Sequence, residues 1–295
     1  KKIVILQLAN IITIQWLRQL KKLLIKSVRQ VNSHMIPKII HITWKNIEGL
    51  QTNYINLDNG EKMSLAQCMD TFRDKNPHWQ IRFWSDNDMD SLTMLKYPRF
   101  YPVYRDLKRI EKVDFFRYLC LYEKGGLFLD TDCICTRPLD ELLDLFPDAS
   151  VITAPEFRHR SNWINYIPHK QLNIWAVFST AGNCHMRNIL AKVIGNCTMD
   201  PKMPVIEKTS MAAFGDYLYA AEKIDPTIKI ISESYISMDG RLKYMHFNSY
   251  GCLDSLPAYI LHGYHGSWID SDFKKYADEM NYRDSLIKEN LNKHY

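Results

Sequence analysis

The chain predicts an α/β fold in which short β-rich runs alternate with helical segments and two carboxylates stand at the end of one strand. Three stretches carry that expectation. Ile36-Pro37-Lys38-Ile39-Ile40-His41-Ile42-Thr43-Trp44 is rich in β-branched residues and reads as a first strand, with Pro37 at its start, where a missing donor is tolerated. Residues 108–123 have helical periodicity and stop at Gly125, a C-cap signal. Gly125-Gly126-Leu127-Phe128-Leu129-Asp130-Thr131-Asp132 then joins a glycine pair to an apolar run and two carboxylates spaced i, i+2. Read as a buried strand, this run sends Asp130 and Asp132 off the same face. Adjacent carboxylates repel unless a cation lies between them or one keeps its proton. A hard divalent cation with oxygen ligands answers that need and commonly holds a phosphate as well. A metal–diphosphate site at the C-terminal end of a strand is therefore expected.

The bulk numbers leave room for one large α/β domain or a domain with appended helices, since the chain has 295 residues. Its net charge of +5 is mild, and beyond the N-terminus the lysines form no stripe, so nucleic acid is not an expected partner. The 7 cysteines form no Cys-x-x-Cys pair and are odd in number, which fits free thiols in a reducing compartment. Internal repeats, low-complexity segments, a Walker loop, His-Glu-x-x-His and Gly-x-Ser-x-Gly are all absent.

Taken in order, residues 3–17 are mostly apolar but shorter than the roughly 20 residues a spanning helix needs, and polar residues interrupt them. Over 16–31, Leu17, Leu20, Leu23, Leu24 and Val28 recur at helical spacing between cations. A basic amphipathic helix of this kind can lie on an anionic membrane, pack on the domain that follows, or serve as a short signal-anchor. After the first strand, residues 61–75 read as a helix with Met63, Ala66, Met69 and Phe72 on its apolar face. Residues 80–84 read as a strand followed by the polar turn Ser85-Asp86-Asn87-Asp88, and 88–104 as partly helical, broken by Pro98 and Pro102. In the helix over 108–123, Asp114, Arg117, Tyr118 and Leu121 share a face, so Asp114 and Arg117 point at each other or at a common object such as sugar hydroxyls. Further on, helices are expected near 140–146, 186–194 and 205–223, and strands near 150–154, 173–179 and 229–231. Trp44 ends the first strand, either as core or projecting into a site at the sheet's C-terminal edge, where open α/β sheets carry ligands. Near the other terminus, Tyr259-Ile260-Leu261-His262-Gly263-Tyr264-His265-Gly266-Ser267-Trp268 sets histidines among glycines that let the backbone approach a ligand.

In sequence order, the 36–44 strand, Asp114-Phe115-Phe116-Arg117-Tyr118, the Asp130-Thr131-Asp132 stretch and His265-Gly266-Ser267-Trp268 resemble a known set. It is the DXD-containing sugar transferases that include fungal initiating α-1,6-mannosyltransferases and bacterial capsular polysaccharide transferases, with clostridial glucosylating toxin domains more distant. The resemblance implies a GT-A-type nucleotide-sugar-binding, Rossmann-like domain over 35–270, with a mixed, mostly parallel sheet flanked by helices. Outside the span of the resemblance, residues 1–34 are expected as the basic amphipathic helical segment and 271–295 as a helical tail. It further implies Mn²⁺ or Mg²⁺, a UDP- or GDP-sugar donor, a glycan or polysaccharide acceptor and retention of anomeric configuration. By resemblance, Trp44 flanks the base, Asp114 and Arg117 hold the donor sugar, and Asp130 touches ribose and metal. Asp132 and His265 then ligate the metal, while Ser267 and Trp268 touch the diphosphate. The chain departs from the family at Thr209-Ser210, where many relatives carry Thr-Gly-Pro, and around Asn173, whose surroundings match loosely. The expected setting is cytoplasmic, with peripheral contact through 1–34 at the inner face of a membrane, or else a Golgi-type lumen.

Overall fold

The computed structural model describes residues 35–57, 61–155, 171–239 and 258–263. The N-terminal segment 1–34, the tail 271–295, and His265, Ser267 and Trp268 lie outside the described residues. From the N-terminal side the elements are β1 (Ile39–Thr43), α1 (Gly49–Thr52), β2 (Tyr54–Asn56), β3 (Lys62–Ser64), α2 (Leu65–Lys75), β4 (Gln80–Trp84), α3 (Asp86–Lys96), α4 (Tyr101–Arg105) and α5 (Arg109–Lys124). There follow β5 (Gly126–Leu129), β6 (Cys133–Cys135), α6 (Leu139–Leu145), β7 (Val151–Thr153), β8 (Ala176–Ser179) and α7 (Cys184–Met199). The last are α8 (Val205–Lys208), α9 (Met211–Glu222), β9 (Ile228–Ile230), β10 (Ile236–Asp239) and β11 (Ile260–His262).

A 6-stranded sheet in the order β4-β1-β5-β8-β7-β9 is the centre of the molecule. β4, β1 and β5 pair in parallel, β7 and β9 likewise, and β8 runs antiparallel to both of its neighbours. The expected mixed, mostly parallel sheet flanked by helices is thus what the chain forms. Strand alternation divides the core. Ile40, Ile42, Leu127, Leu129, Ala176 and Phe178 face one layer with Leu65, Met69 and Phe72 of α2 and the small sheet β10-β11-β6. Phe128, Val151 and Val177 face the other, where α5, α7 and α9 supply Phe116, Leu119, Ile189, Val193, Phe214 and Leu218. Each of the Val, Leu, Ile, Met and Phe side chains among them stabilises the fold by roughly 1.5–3 kcal/mol on burial.

Local chemistry moves several expected boundaries. The helix expected over 61–75 begins only at Leu65, because β3 pairs with β2 and Ser64 caps α2 in a reciprocal box with Gln67. The expected turn at 85–88 is the start of α3, where the Ser85 hydroxyl accepts the Asp88 amide at 3.2 Å and Asp88 accepts the Ser85 amide at 2.9 Å. The single helix expected over 205–223 is two, parted at Thr209-Ser210.

The α5–β5 connection sets the sheet. Gly125 and Gly126 have φ of 65° and 96°, and a Cβ on Gly126 would meet the Ile39 carbonyl oxygen at 2.4 Å. His41 of β1 holds this turn. A carbonyl only accepts, so His41 Nε2 carries the proton and donates to Gly125 O at 2.9 Å; Nδ1 then accepts the Trp84 indole N–H at 3.1 Å. Burial pulls its pKa from 6.5 to about 4; the Gly125 carbonyl opposes this, while Arg82 and Lys124 add to it. His41 is therefore neutral in the fold and titrates normally when unfolded. Between about pH 6.5 and about pH 4 the unfolded chain binds the extra proton, so stability is full above this window and falls through it. Urea melts at stepped pH should show that loss, and His41→Gln should flatten it.

Candidate active site

At the sheet's C-terminal edge, β5 ends at Leu129, and Asp130, Thr131 and Asp132 form a turn into β6 rather than extending the strand. The Cys133 amide closes the turn on Asp130 O at 3.3 Å, and the Asp130 amide donates to Trp175 O at 2.8 Å. The expectation that both carboxylates leave one strand face is therefore corrected: a turn lets them diverge. Asp130 goes to Arg117 and Asp132 to His262.

Arg117 is the hub. It is almost wholly buried and stacks its guanidinium 4.6 Å from the Phe128 ring centroid. Nη2 meets Asp130 Oδ1 at 3.1 Å and Asp114 Oδ1 at 3.8 Å, and Nη1 donates to the Ile174 carbonyl. Asp114 and Arg117 therefore point both at each other and at the turn. Asp114 is fully buried, and its Oδ2 accepts the Thr209 hydroxyl at 2.9 Å. Burial raises its carboxyl to about 7, against the downward pull of Arg117 and of the Thr209 and Ser210 hydroxyls. Asp114 Oδ1, Arg117 Nε and Asn173 Oδ1 make no hydrogen bond among the described residues. Buried polar atoms are normally satisfied, and three left open on α5 and the approach to β8 suit a ligand rich in hydroxyls.

On the other side of the turn, His262 ends β11, stacks on Trp175 with centroids 4.6 Å apart, and brings Nε2 to 3.3 Å from Asp132 Oδ1. The Gly263 amide donates to Asp132 O at 2.8 Å, and a Cβ there would sit 2.7 Å from that oxygen, so only glycine allows the approach. Among the described residues, ligand atoms of Asp132, Cys133 and His262 lie within 4.8 Å of one another. Carboxylate and imidazole fit a divalent cation. The Cys133 thiol fits less well, because burial, with Asp132 nearby, holds it protonated. Asp130 is outside this group and is held by Arg117. Sequence reasoning passed over His262 in favour of His265; the signal available was an apolar strand ending in His262-Gly263.

Trp44 is half-buried just past β1, with the Arg109 guanidinium 5.9 Å from its ring centroid. Arg109 is fixed by Asp86 through bonds of 3.2 and 3.1 Å. Because α5 runs back toward the start of β5, its N-terminal residue Arg109 stands at the same edge as Asp130.

Residues 63–146 match the family described as glycosyltransferase sugar-binding region containing DXD motif, and the chain carries that region. It is 40% identical over 114 residues to inositol phosphoceramide mannosyltransferase 3 of Schizosaccharomyces pombe, covering 38% of this chain and 28% of that protein. It is 27% identical over 175 residues to the initiation-specific alpha-1,6-mannosyltransferase of Candida albicans, covering 55% of this chain and 43% of that protein. The chain thus spans less than half the length of these curated relatives. Among solved structures it is similar to the PaToxG glycosyltransferase, with 14% identity, 90% of this chain and 94% of that chain covered, and a TM-score of 0.45. Among the described residues no helix is long and apolar enough to cross a membrane.

Removing one partner of the buried pair should unmask its cost. Arg117→Met, which leaves Asp114 uncompensated, should lose about 3–5 kcal/mol in urea unfolding. Asp130→Asn, at the half-buried end of the network, should lose about 1 kcal/mol.

Proposed function

We propose that this protein is a metal-dependent, retaining hexosyltransferase that moves a sugar from a UDP- or GDP-sugar to a glycan or polysaccharide acceptor. The observation that carries the reading is that buried polar atoms without a hydrogen bond and a cation-competent pair both occur beside the Asp130–Asp132 turn. Asp114 Oδ1, Arg117 Nε and Asn173 Oδ1 supply the first, Asp132 and His262 the second. Relatives named mannosyltransferases favour mannose as the hexose and GDP-mannose as the first donor to try.

In this reading Trp44 flanks the base and Arg109 steadies it. Arg117 and Asp114 orient the sugar hydroxyls, and Asn173 bounds the same subsite. Asp132 and His262 would hold Mn²⁺ or Mg²⁺, with Asp130, His265, Ser267 and Trp268 as further contacts to ribose, metal and diphosphate. The bound metal would supply Lewis-acid stabilisation of the leaving diphosphate. The protein's own part is mostly positioning. Arg117, locked by two acceptors and the ion pair with Asp114, fixes the sugar without reorganising, and Asp114 lies where it can favour the positive charge growing on the anomeric carbon. No described carboxylate is assigned as a nucleophile. Retention is proposed through attack on the face the diphosphate leaves, with its oxygen taking the acceptor's proton. Residues 1–34 are proposed as a peripheral contact with an anionic membrane.

Turnover of a panel of GDP- and UDP-sugars with Mn²⁺ tests the reading. The intact protein should hydrolyse or transfer one donor, and Asp132→Asn and His262→Ala should each be slower by about a hundredfold. Equal rates in the three proteins would overturn it, and saturable donor binding without any turnover would point to a binding module. For the N-terminal contact, deletion of 1–33 should move the protein from the membrane to the soluble fraction.

A further inference from the structure

The segment leading into α9 is tied to α5 by contacts that the transfer reading does not use. Lys208 Nζ lies 2.7 Å from Glu111 Oε1, with the two side chains only 6% and 4% exposed. The same ammonium donates to the Pro201 carbonyl at 2.7 Å, and Glu111 Oε2 accepts the Lys108 amide at 2.9 Å. Asn196 of α7 donates to the Glu207 and Lys208 carbonyls, each at 3.1 Å. One residue on, the Thr209 hydroxyl reaches Asp114 Oδ2 at 2.9 Å while its carbonyl accepts the Tyr118 hydroxyl at 3.0 Å.

A buried ion pair is a poor source of net stability, because desolvation offsets most of the attraction. What it supplies is register: an ammonium that must meet one carboxylate and one carbonyl has a single acceptable seat. Thr209 directly follows Lys208, so fixing that seat fixes where the Thr209 hydroxyl falls on Asp114. With Oδ2 taken by Thr209, Oδ1 is the carboxylate atom left without a hydrogen bond.

We infer that Lys208 and Glu111 are positioning residues for the donor sugar. Their ion pair seats Thr209 on Asp114, and Thr209 holds the carboxyl so that Oδ1 is offered to a sugar hydroxyl. This rests on the reading of Asp114 as a donor-sugar contact. It makes a distinction that a purely structural pair would not. Loss of the pair should weaken binding of the sugar-bearing nucleotide and leave the bare nucleoside diphosphate untouched.

Calorimetry with Mn²⁺ tests it on the full chain, using GDP-mannose against GDP and UDP-glucose against UDP. The Glu111→Leu/Lys208→Met variant removes both charges together, which keeps either from being stranded. Its affinity for the nucleotide-sugar should fall about tenfold with affinity for the nucleoside diphosphate unchanged. Thr209→Val should do the same, Thr209→Ser should restore binding, and Thr209→Val added to the pair variant should cost nothing more. Glu111→Gln/Lys208→Met serves if the first pair variant does not fold. Unchanged nucleotide-sugar affinity in the variants, or an equal loss for both ligands, would overturn the inference. If the intact protein binds neither ligand of either pair, the transfer reading itself fails, and the inference with it.

Discussion

The site depends on a guanidinium placed where water cannot reach it. Arg117 sits under the C-terminal edge of the sheet, and a buried cation is tolerable only when its charge is answered. Asp114 from its own helix, Asp130 from the turn after β5, and the Ile174 carbonyl from the approach to β8 answer it together. Three separate pieces of chain are thereby drawn to one point. The turn that carries Asp130 and Asp132 is located by the charge beneath it, in addition to the backbone bond from Asp130 to Trp175.

That arrangement requires α5 to lie deep against the sheet, and the connection from α5 to β5 makes this possible. Residues with a Cβ could not follow the path of Gly125-Gly126, where they would meet the Ala181 amide and the Ile39 carbonyl respectively. His41 keeps the first carbonyl of that path satisfied at the cost of staying neutral. The reward is that Phe116 meets Trp84 and Phe128 in edge contacts at 5.2 and 6.5 Å, with the Phe128 ring lying against the Arg117 guanidinium. Cation and aromatic packing belong to the same local solution.

Much of this was legible in the sequence, and the misses share a cause. Apolar runs and glycine punctuation marked β1, β4, β5 and α5, because burial and backbone freedom act locally. The pairing of Asp114 with Arg117 was legible as a helical spacing, but the third member, Asp130, was not. Periodicity within a helix says nothing of a turn 13 residues away. Asp130 and Asp132 were misplaced on one strand face because the bond that turns the chain after β5, from the Cys133 amide to Asp130 O, leaves no mark in the apolar alternation. His262 was passed over for a like reason: its place beside Asp132 follows from β11 pairing antiparallel with β6, which sets His262 opposite Cys133. The break at Thr209-Ser210 likewise answers to Asp114 and Tyr118, not to local propensity.

Seen from α5, these contacts form one pattern. Glu111, Asp114 and Arg117 recur at every third residue, and all three are buried. A step of three falls about 60° short of a full turn, so the three side chains wind around the helix instead of stacking above one another. Each accordingly meets a different neighbour: Glu111 the Lys208 ammonium, Asp114 the Thr209 hydroxyl, and Arg117 the Asp130 carboxylate. An amphipathic helix would turn such a stripe to solvent. Here it is turned inward, and the helix joins the segment before α9 to the turn after β5. Stability alone would favour apolar residues at those positions, since buried ion pairs are readily replaced by well-packed hydrophobes. Charges held in place along a helix, with open polar atoms among them, are instead what a protein needs to grip a hydroxyl-rich ligand in one orientation.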